Sequence, residues 1–392
     1  MRTTSRGLTA ATALTALALT GAGALTLTTA ASAAEASPAR TAPPRLTLPE
    51  PTGPRPVGHT ALRLVDRSRA DPWVPDAGPR RLMVSVWYPA RRDTGTPARY
   101  MTPKESTLLL KGQHVTGVPG DTLSRVRTWA YEDAAPAGRA HRLPLVVLSP
   151  GFSLPRATLT SLGADLAGRG YVVAAIDHTY ESFGTTFPDG HTTTCLACAG
   201  EQSSAMARKV VRGRVADVSF VLDRLTGRHP AWRGARLIDR SRIGMAGHSI
   251  GGDTASAAMR ADHRVRAGVN MDGTINTALP RRGLFRPFLL LGTEESHTPA
   301  ATEDTTWKAN WPRLTGWKRW ITVAGTQHSS FTDLVPLADQ IGVPTGTTTT
   351  GARSAAITRA YVGAFFDRTL RHRHRPILNG PSHRYPEVKF WP

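Results

Sequence analysis

Arg242-Ile243-Gly244-Met245-Ala246-Gly247-His248-Ser249-Ile250-Gly251-Gly252 is the stretch that decides how the rest of the chain is read. A short apolar strand runs into Gly-x-Ser-x-Gly and then into small residues, the layout of a nucleophile elbow, in which a serine sits on a sharp strand-to-helix turn with its hydroxyl above the sheet. Gly247 and Gly251 leave room for that turn, which a side chain would block. Gly252 and the run Thr254 to Ala258 predict a closely packed helix whose N-terminal amides aim at charge developing beside Ser249. In a chain with 36 glycines the pentapeptide alone can arise by chance, so the strand before it and the helix after it carry the assignment.

Around the elbow, short apolar runs alternate with longer amphipathic ones from residue 140 onward, the pattern of parallel strands joined by crossover helices. Strands are expected at Leu143 to Leu148, Tyr171 to Ile176, Ile243 to Ala246, Val265 to Met271, Pro287 to Leu291 and Trp320 to Val323. Most are continuously apolar, as strands covered on both faces should be. Helices are expected at Arg156 to Ala167, Ala205 to Leu225, Gly251 to Arg260, Thr302 to Leu314 and Ala355 to Leu370. Upstream, Ala61 to Val65 and Leu82 to Trp87 alternate with period two and suit antiparallel strands at the N-terminal edge. The expected class is α/β: a mostly parallel sheet flanked by helices on both faces. Thr179 to Gly200 interrupts it as a long polar insertion without periodicity, of the kind that borders sites.

Ser249 needs a base, and the base needs an acid to orient it, in the chain order Ser, Asp or Glu, His. Of the later histidines, His328 alone follows the last predicted strand directly, in Gly325-Thr326-Gln327-His328-Ser329-Ser330-Phe331. His248, inside the elbow, is expected beneath the turn in a packing or supporting role. Two acids stay open on the residues: Asp272 closes one predicted strand and Glu295, beside Glu294, closes the next. The oxyanion of a tetrahedral intermediate requires two fixed donors. The Ile250 amide follows the nucleophile, and Ser149-Pro150-Gly151-Phe152 ends the first parallel strand, where the Phe152 amide supplies the second.

The termini and the charge set the compartment. Residues 1–33 hold Arg2, Arg6, no acid, an apolar stretch from Leu8 to Leu27 and a closing Ala31-Ser32-Ala33, so a cleavable secretory signal peptide and an extracellular mature protein are expected. The span is too short and small-residue-rich for a retained membrane anchor, and no twin arginine is present. Residues 34–57, rich in Pro, Ala and Thr, are expected to be flexible, 58–371 to form the catalytic domain, and 372–392 to be a solvated basic tail. The formal charge of +20 becomes +18 without Arg2 and Arg6. The basic residues are scattered and lack aromatic interleaving, which argues against nucleic acid and leaves weak attraction to anionic surfaces as the secondary expectation. Cys195 and Cys198 lie in one Thr- and Gly-bounded segment; in an exported protein a local disulfide is the leading reading, ahead of a redox or zinc site. No metal and no organic cofactor is called for.

Taken together these segments resemble the plasma-type platelet-activating-factor acetylhydrolases and their bacterial relatives, secreted α/β-hydrolases that remove short or oxidised acyl chains from phospholipids. The likeness runs from about Gly58 to Arg371 and rests on Arg81-Leu82-Met83-Val84-Ser85-Val86-Trp87-Tyr88-Pro89, Ser149-Pro150-Gly151-Phe152, Gly170-Tyr171-Val172-Val173-Ala174-Ala175-Ile176-Asp177-His178, the elbow, and Gln327-His328-Ser329-Ser330-Phe331-Thr332-Asp333. It implies an α/β-hydrolase fold and places the acid at Asp272. A second likeness, to cutinase-type polyester hydrolases, would place it near Glu295. Pro150 stands where the acetylhydrolases often carry His. The expectation is a serine esterase for short-acyl, phospholipid-like esters, with Ser249, His328 and Asp272 catalytic and the Phe152 and Ile250 amides holding the oxyanion. A lipase or polyesterase is the alternative, and a non-catalytic binding protein on the same scaffold is the alternative of another class.

Overall fold

The computed structural model describes residues 46–201 and 203–392. The expected signal peptide, and residues 34–45 of the expected flexible segment, lie outside the described residues. Along the chain, β1 (Val57–Ala70) and β2 (Pro79–Pro89) form a long antiparallel pair, followed by α1 (Pro103–Gly112), the short β3 (Tyr131–Glu132) and β4 (Leu143–Ser149). Then come α2 (Thr160–Gly168), β5 (Val172–Asp177), the small hairpin β6 (Thr185–Thr186) and β7 (Thr192–Thr193), α3 (Ser204–Thr226), β8 (Ile238–His248), α4 (Ile250–Ala261) and β9 (Val265–Met271). The chain closes with β10 (Phe288–Thr293), α5 (Glu294–His297), α6 (Thr306–Asn310), β11 (Lys318–Val323), α7 (Leu334–Ile341), α8 (Gly351–Arg371) and β12 (Val388–Trp391).

Ten strands make one sheet in the order β12-β11-β10-β9-β8-β4-β5-β2-β1-β3. From β5 through β11 every neighbour is parallel, while β2 meets β5 and β12 meets β11 antiparallel. The continuously apolar strands are covered on both faces because alternate side chains enter different cores. Val146 and Leu148 of β4 pack with Leu162 and Leu166 of α2 and with Tyr361 and Phe365 of α8. Leu145 and Val147 pack with Val218 and Leu222 of α3, Ala258 of α4 and Trp307 of α6. This is the α/β-hydrolase architecture, and it gathers the carboxyl ends of β4, β8, β9 and β11 along one edge, where loops can converge on a ligand.

Two boundaries drawn from composition are corrected. Residues 46–57 are not flexible: Leu46 and Leu48 are buried beside Tyr100, Met101 and Leu109, their backbone pairs with Arg127, and Asp165 accepts from the Thr52 amide at 2.8 Å. The alternating leucines supply the apolar face that the surrounding prolines hid. The tail 372–392 is likewise not simply solvated, since Leu378, Tyr385 and Val388 are buried and β12 pairs with the edge strand β11. Pairing covers the open N–H and C=O groups that an edge strand would present. The helix expected over Thr302 to Leu314 is shorter, α6 followed by a single tight turn at Trp311–Arg313, because Pro312 lacks the amide a continuing helix needs.

If β12 completes the fold, ending the chain after Glu387 will lower the unfolding free energy by about 3 kcal/mol, the scale of uncovering one buried and two partly buried large apolar side chains. Urea denaturation followed by tryptophan fluorescence measures it, and an unchanged midpoint would return the segment to the status of a tail.

Candidate active site

Ser249 sits where β8 becomes α4, with φ 55° and ψ −128°. A β-carbon on Gly247 would lie 2.0 Å from the carbonyl carbon of Gly251, and one on Gly251 would lie 2.1 Å from the Ser149 carbonyl oxygen, so the strained turn forms only because both are glycine. The Ser249 amide donates to Met271 O at 2.8 Å, which ties the turn to the next strand.

That next strand delivers the acid. Asp272 follows β9 with φ 57°, and its own amide donates to Leu291 O at 2.9 Å. Asn270 fixes the bend by donating to Gly273 O and accepting from Gly273 N at 2.7 and 2.8 Å. The Asp272 carboxylate accepts from the Thr293 amide at 2.6 Å on Oδ1 and from His328 Nδ1 at 2.6 Å on Oδ2. Burial alone would raise this carboxyl, but the His328 hydrogen bond, the nearby imidazoles and the Thr293 amide outweigh it and hold the acid below its ordinary value. Asp272 is therefore ionised at neutral pH.

His328 opens a single tight turn after β11, with its side chain about half exposed. With Nδ1 donating to Asp272, Nε2 is left as the basic nitrogen. His248, buried beneath it, donates from Nε2 to the His328 carbonyl at 2.8 Å, and the two rings lie 4.6 Å apart. Burial and the neighbouring His328 push the His248 imidazole down to about 3, so it stays neutral and holds the histidine loop without competing for a proton. His297 adds a contact that the sequence did not single out. It stacks on Trp307 at 3.9 Å and places Nε2 3.5 Å from Asp272 Oδ1, on the side of the acid away from His328.

The residues expected to supply the oxyanion donors line the same space. Ile250 is the first residue of α4, where no preceding helical carbonyl is available to its amide. Phe152 follows Gly151 directly after β4. Phe152, Ser249, Ile250, Asp272 and His328 all line one cleft of about 360 Å³, walled on its far side by Met206, Ala207 and Val210 of α3. All five site residues expected from sequence are thus brought together. Glu295 is not among them: it is exposed on α5 and accepts from Gln327 Nε2 at 3.0 Å. Cys195 and Cys198 are disulfide-bonded in the segment that precedes α3. A hydroxyl, an imidazole and a buried carboxylate in this order, with Phe152 and Ile250 lining the same cleft, suit acyl transfer through a serine.

Comparisons with known proteins point to an ester hydrolase. The chain matches the family described as platelet-activating factor acetylhydrolase, isoform II, over residues 41–212 and 233–343. It is 30% identical over 366 residues to a probable 1-alkyl-2-acetylglycerophosphocholine esterase of Arthroderma benhamiae, covering 84% of this chain and 89% of the relative. It is 27% identical over 227 residues to the platelet-activating factor acetylhydrolase of Canis lupus familiaris, covering 51% and 50% of the two chains. Among solved structures, the ferulic acid esterase from Streptomyces cinnamoneus superposes with a TM-score of 0.78 and 44% identity, covering 88% of this chain and 99% of that one.

The geometry separates the two acids that the sequence left open. Asp272→Asn should lower kcat by about 10³- to 10⁴-fold, because the amide favours the wrong imidazole tautomer. Glu295→Gln should leave kcat within about 2-fold, the behaviour of an exposed side chain away from the reacting atoms. Steady-state hydrolysis of p-nitrophenyl acetate measures both, and the reverse ranking would transfer the acid's role to Glu295.

Proposed function

This chain belongs to the platelet-activating factor acetylhydrolase, isoform II, family and is an ester hydrolase; on that premise we propose that it is a serine esterase acting through an acyl-enzyme on esters with a short or compact acyl group, short-acyl glycerophospholipids foremost. The observation that carries the reading is the convergence of Ser249, His328 and Asp272 on one cleft that Phe152 and Ile250 also line. Ser249 Oγ attacks the ester carbonyl as His328 Nε2 takes its proton, and Asp272 supports the imidazolium that results. The two amides hold the oxyanion, worth about 10²- to 10³-fold per donor in comparable sites. His328 then returns the proton to the departing alcohol, and water, activated by the same imidazole, releases the acid.

A second reading has its own support. The 44% identity to a ferulic acid esterase over nearly the whole of that chain favours an aromatic acyl group, also compact, in the same cleft. In either reading the protein works outside the cell, exported through its first 33 residues and cleaved near Ala33, which the arginine-led apolar leader supports. N-terminal sequencing of protein recovered from culture medium tests this: a start close to Ala34 is expected, and an intact Met1 would overturn it.

Substrate choice is tested by release of sn-2 acetate against sn-2 palmitate from otherwise identical glycerophosphocholines, alongside ferulate from methyl ferulate, with Ser249→Ala as the blank. Acetate release well above both others is expected. Dominant ferulate release would move the protein to the second reading, and palmitate release equal to acetate would favour an open lipase or polyesterase groove. Undiminished activity in Ser249→Ala would overturn the serine mechanism itself.

A further inference from the structure

Beneath the Phe152 loop lies a buried ionic cluster that the reaction as described does not use. Arg214, on α3, is about 1% exposed and so is its partner Glu181; Arg214 Nε donates to Glu181 Oε2 at 2.7 Å. The rest of the guanidinium is spent on the strand end that carries the oxyanion donor. Nη1 donates to Pro150 O at 2.5 Å and to Ser149 Oγ at 3.2 Å, and Nη2 donates to Gly151 O at 3.4 Å.

Gly151 C=O and Phe152 N–H belong to one peptide plane. In a trans peptide the carbonyl oxygen and the amide hydrogen point in opposite directions, so fixing one fixes the other. The Gly151 oxygen, which accepts from the Leu154 amide at 3.3 Å as well as from Arg214, is thereby fixed on the buried side, which turns the Phe152 N–H toward the cleft, and the Arg214 charge polarises the same amide. The far side of Phe152 is held as well: the Ser153 amide donates to Glu181 O at 2.9 Å and Ser153 O accepts from Phe183 N at 2.8 Å. Glu181 thus acts through its carboxylate, which holds Arg214 and also accepts from Trp73 Nε1 at 2.9 Å, and through its backbone on Ser153.

We propose that Arg214, anchored by Glu181, is a positioning residue that aims the Phe152 amide at the oxyanion. The proposal rests on the serine-esterase reading above. Stability alone does not account for the pair. Taking both charges out of water is costly, and apolar residues of similar volume often hold a fold as well as, or better than, a buried ion pair. A lysine at 214 would keep the charge opposite Glu181, but its single ammonium lacks the planar fork that reaches Glu181 and the loop carbonyls at once. The insertion that contributes Glu181 is in this account the brace of the oxyanion loop rather than a surface embellishment.

The test compares wild type, Arg214→Lys, and the double variant Arg214→Met with Glu181→Gln, which removes both charges, leaves no unpaired carboxylate and keeps an acceptor for Trp73 Nε1. Two ligands are used: an alkyl trifluoromethyl ketone, to which the Ser249 hydroxyl adds so that the carbonyl oxygen becomes an oxyanion while His328 takes the proton, and the matching carbinol, which forms no oxyanion. In both variants kcat on p-nitrophenyl acetate should fall roughly 10- to 100-fold, somewhat less than loss of a whole donor. The ketone inhibition constant should rise by the same factor, with KM and carbinol affinity unchanged. A purely structural role would weaken both ligands together. Ketone affinity held at the wild-type value in either folded variant, or parallel loss of ketone and carbinol, overturns the proposal. Failure of the underlying reading shows elsewhere, as ketone inhibition absent from wild type or activity retained in Ser249→Ala.

Discussion

The approach of the first turn of α4 to the end of β4 is the constraint on which the rest of the cleft depends. With Gly251 against the Ser149 carbonyl, the turn after β8 and the end of β4 meet at van der Waals distance, and no side chain fits between them. The strain at Ser249 is tolerated because the Met271 carbonyl, the glycines and the buried sheet on either side all fix the turn. Once the elbow is closed, the ends of β4 and β9 lie beside it, so Phe152 and Asp272 have one place each to go.

Polar groups under the cleft then hold what the elbow has brought near. Each loop of the site is secured from below by a buried side chain bonded to its backbone: Arg214 to the carbonyls of the Phe152 loop, Asn270 around the bend at Asp272, and His248 to the carbonyl of His328. The division of labour is consistent. Groups facing the cleft keep atoms available for substrate, whereas those beneath it have committed theirs to the backbone. An active site built on loops gains its precision in this way, from a layer of packed and hydrogen-bonded supports.

Much of this was legible in the sequence because it follows from local pattern. The elbow, the parallel strands and His328 are marked by glycine spacing, apolar runs and position after the last predicted strand. Asp272 and Glu295 could not be told apart from residues alone, since each closes a strand. The structure separates them because α5 carries Glu295 outward to solvent while Asp272 turns back under His328. Arg214 was missed although a signal existed: it sits on the stripe of Val210, Val211, Val218, Val221 and Leu222 that α3 buries, so a charge there had to be paired inside. Its partner Glu181 lies 33 residues away in a segment without periodicity, which no spacing rule connects to a helix. The strand β12 escaped for a similar reason, being four residues long and preceded by a basic run.

The central claim, that an ester is cleaved through Ser249, is tested most directly by trapping the intermediate. Protein mixed with p-nitrophenyl acetate, quenched in acid within milliseconds and digested, should yield the elbow peptide carrying one acetyl group on Ser249, at a level that falls as substrate is exhausted. Steady turnover with no acylated elbow peptide at any quench time, or an acetyl group found on another residue, would contradict the account.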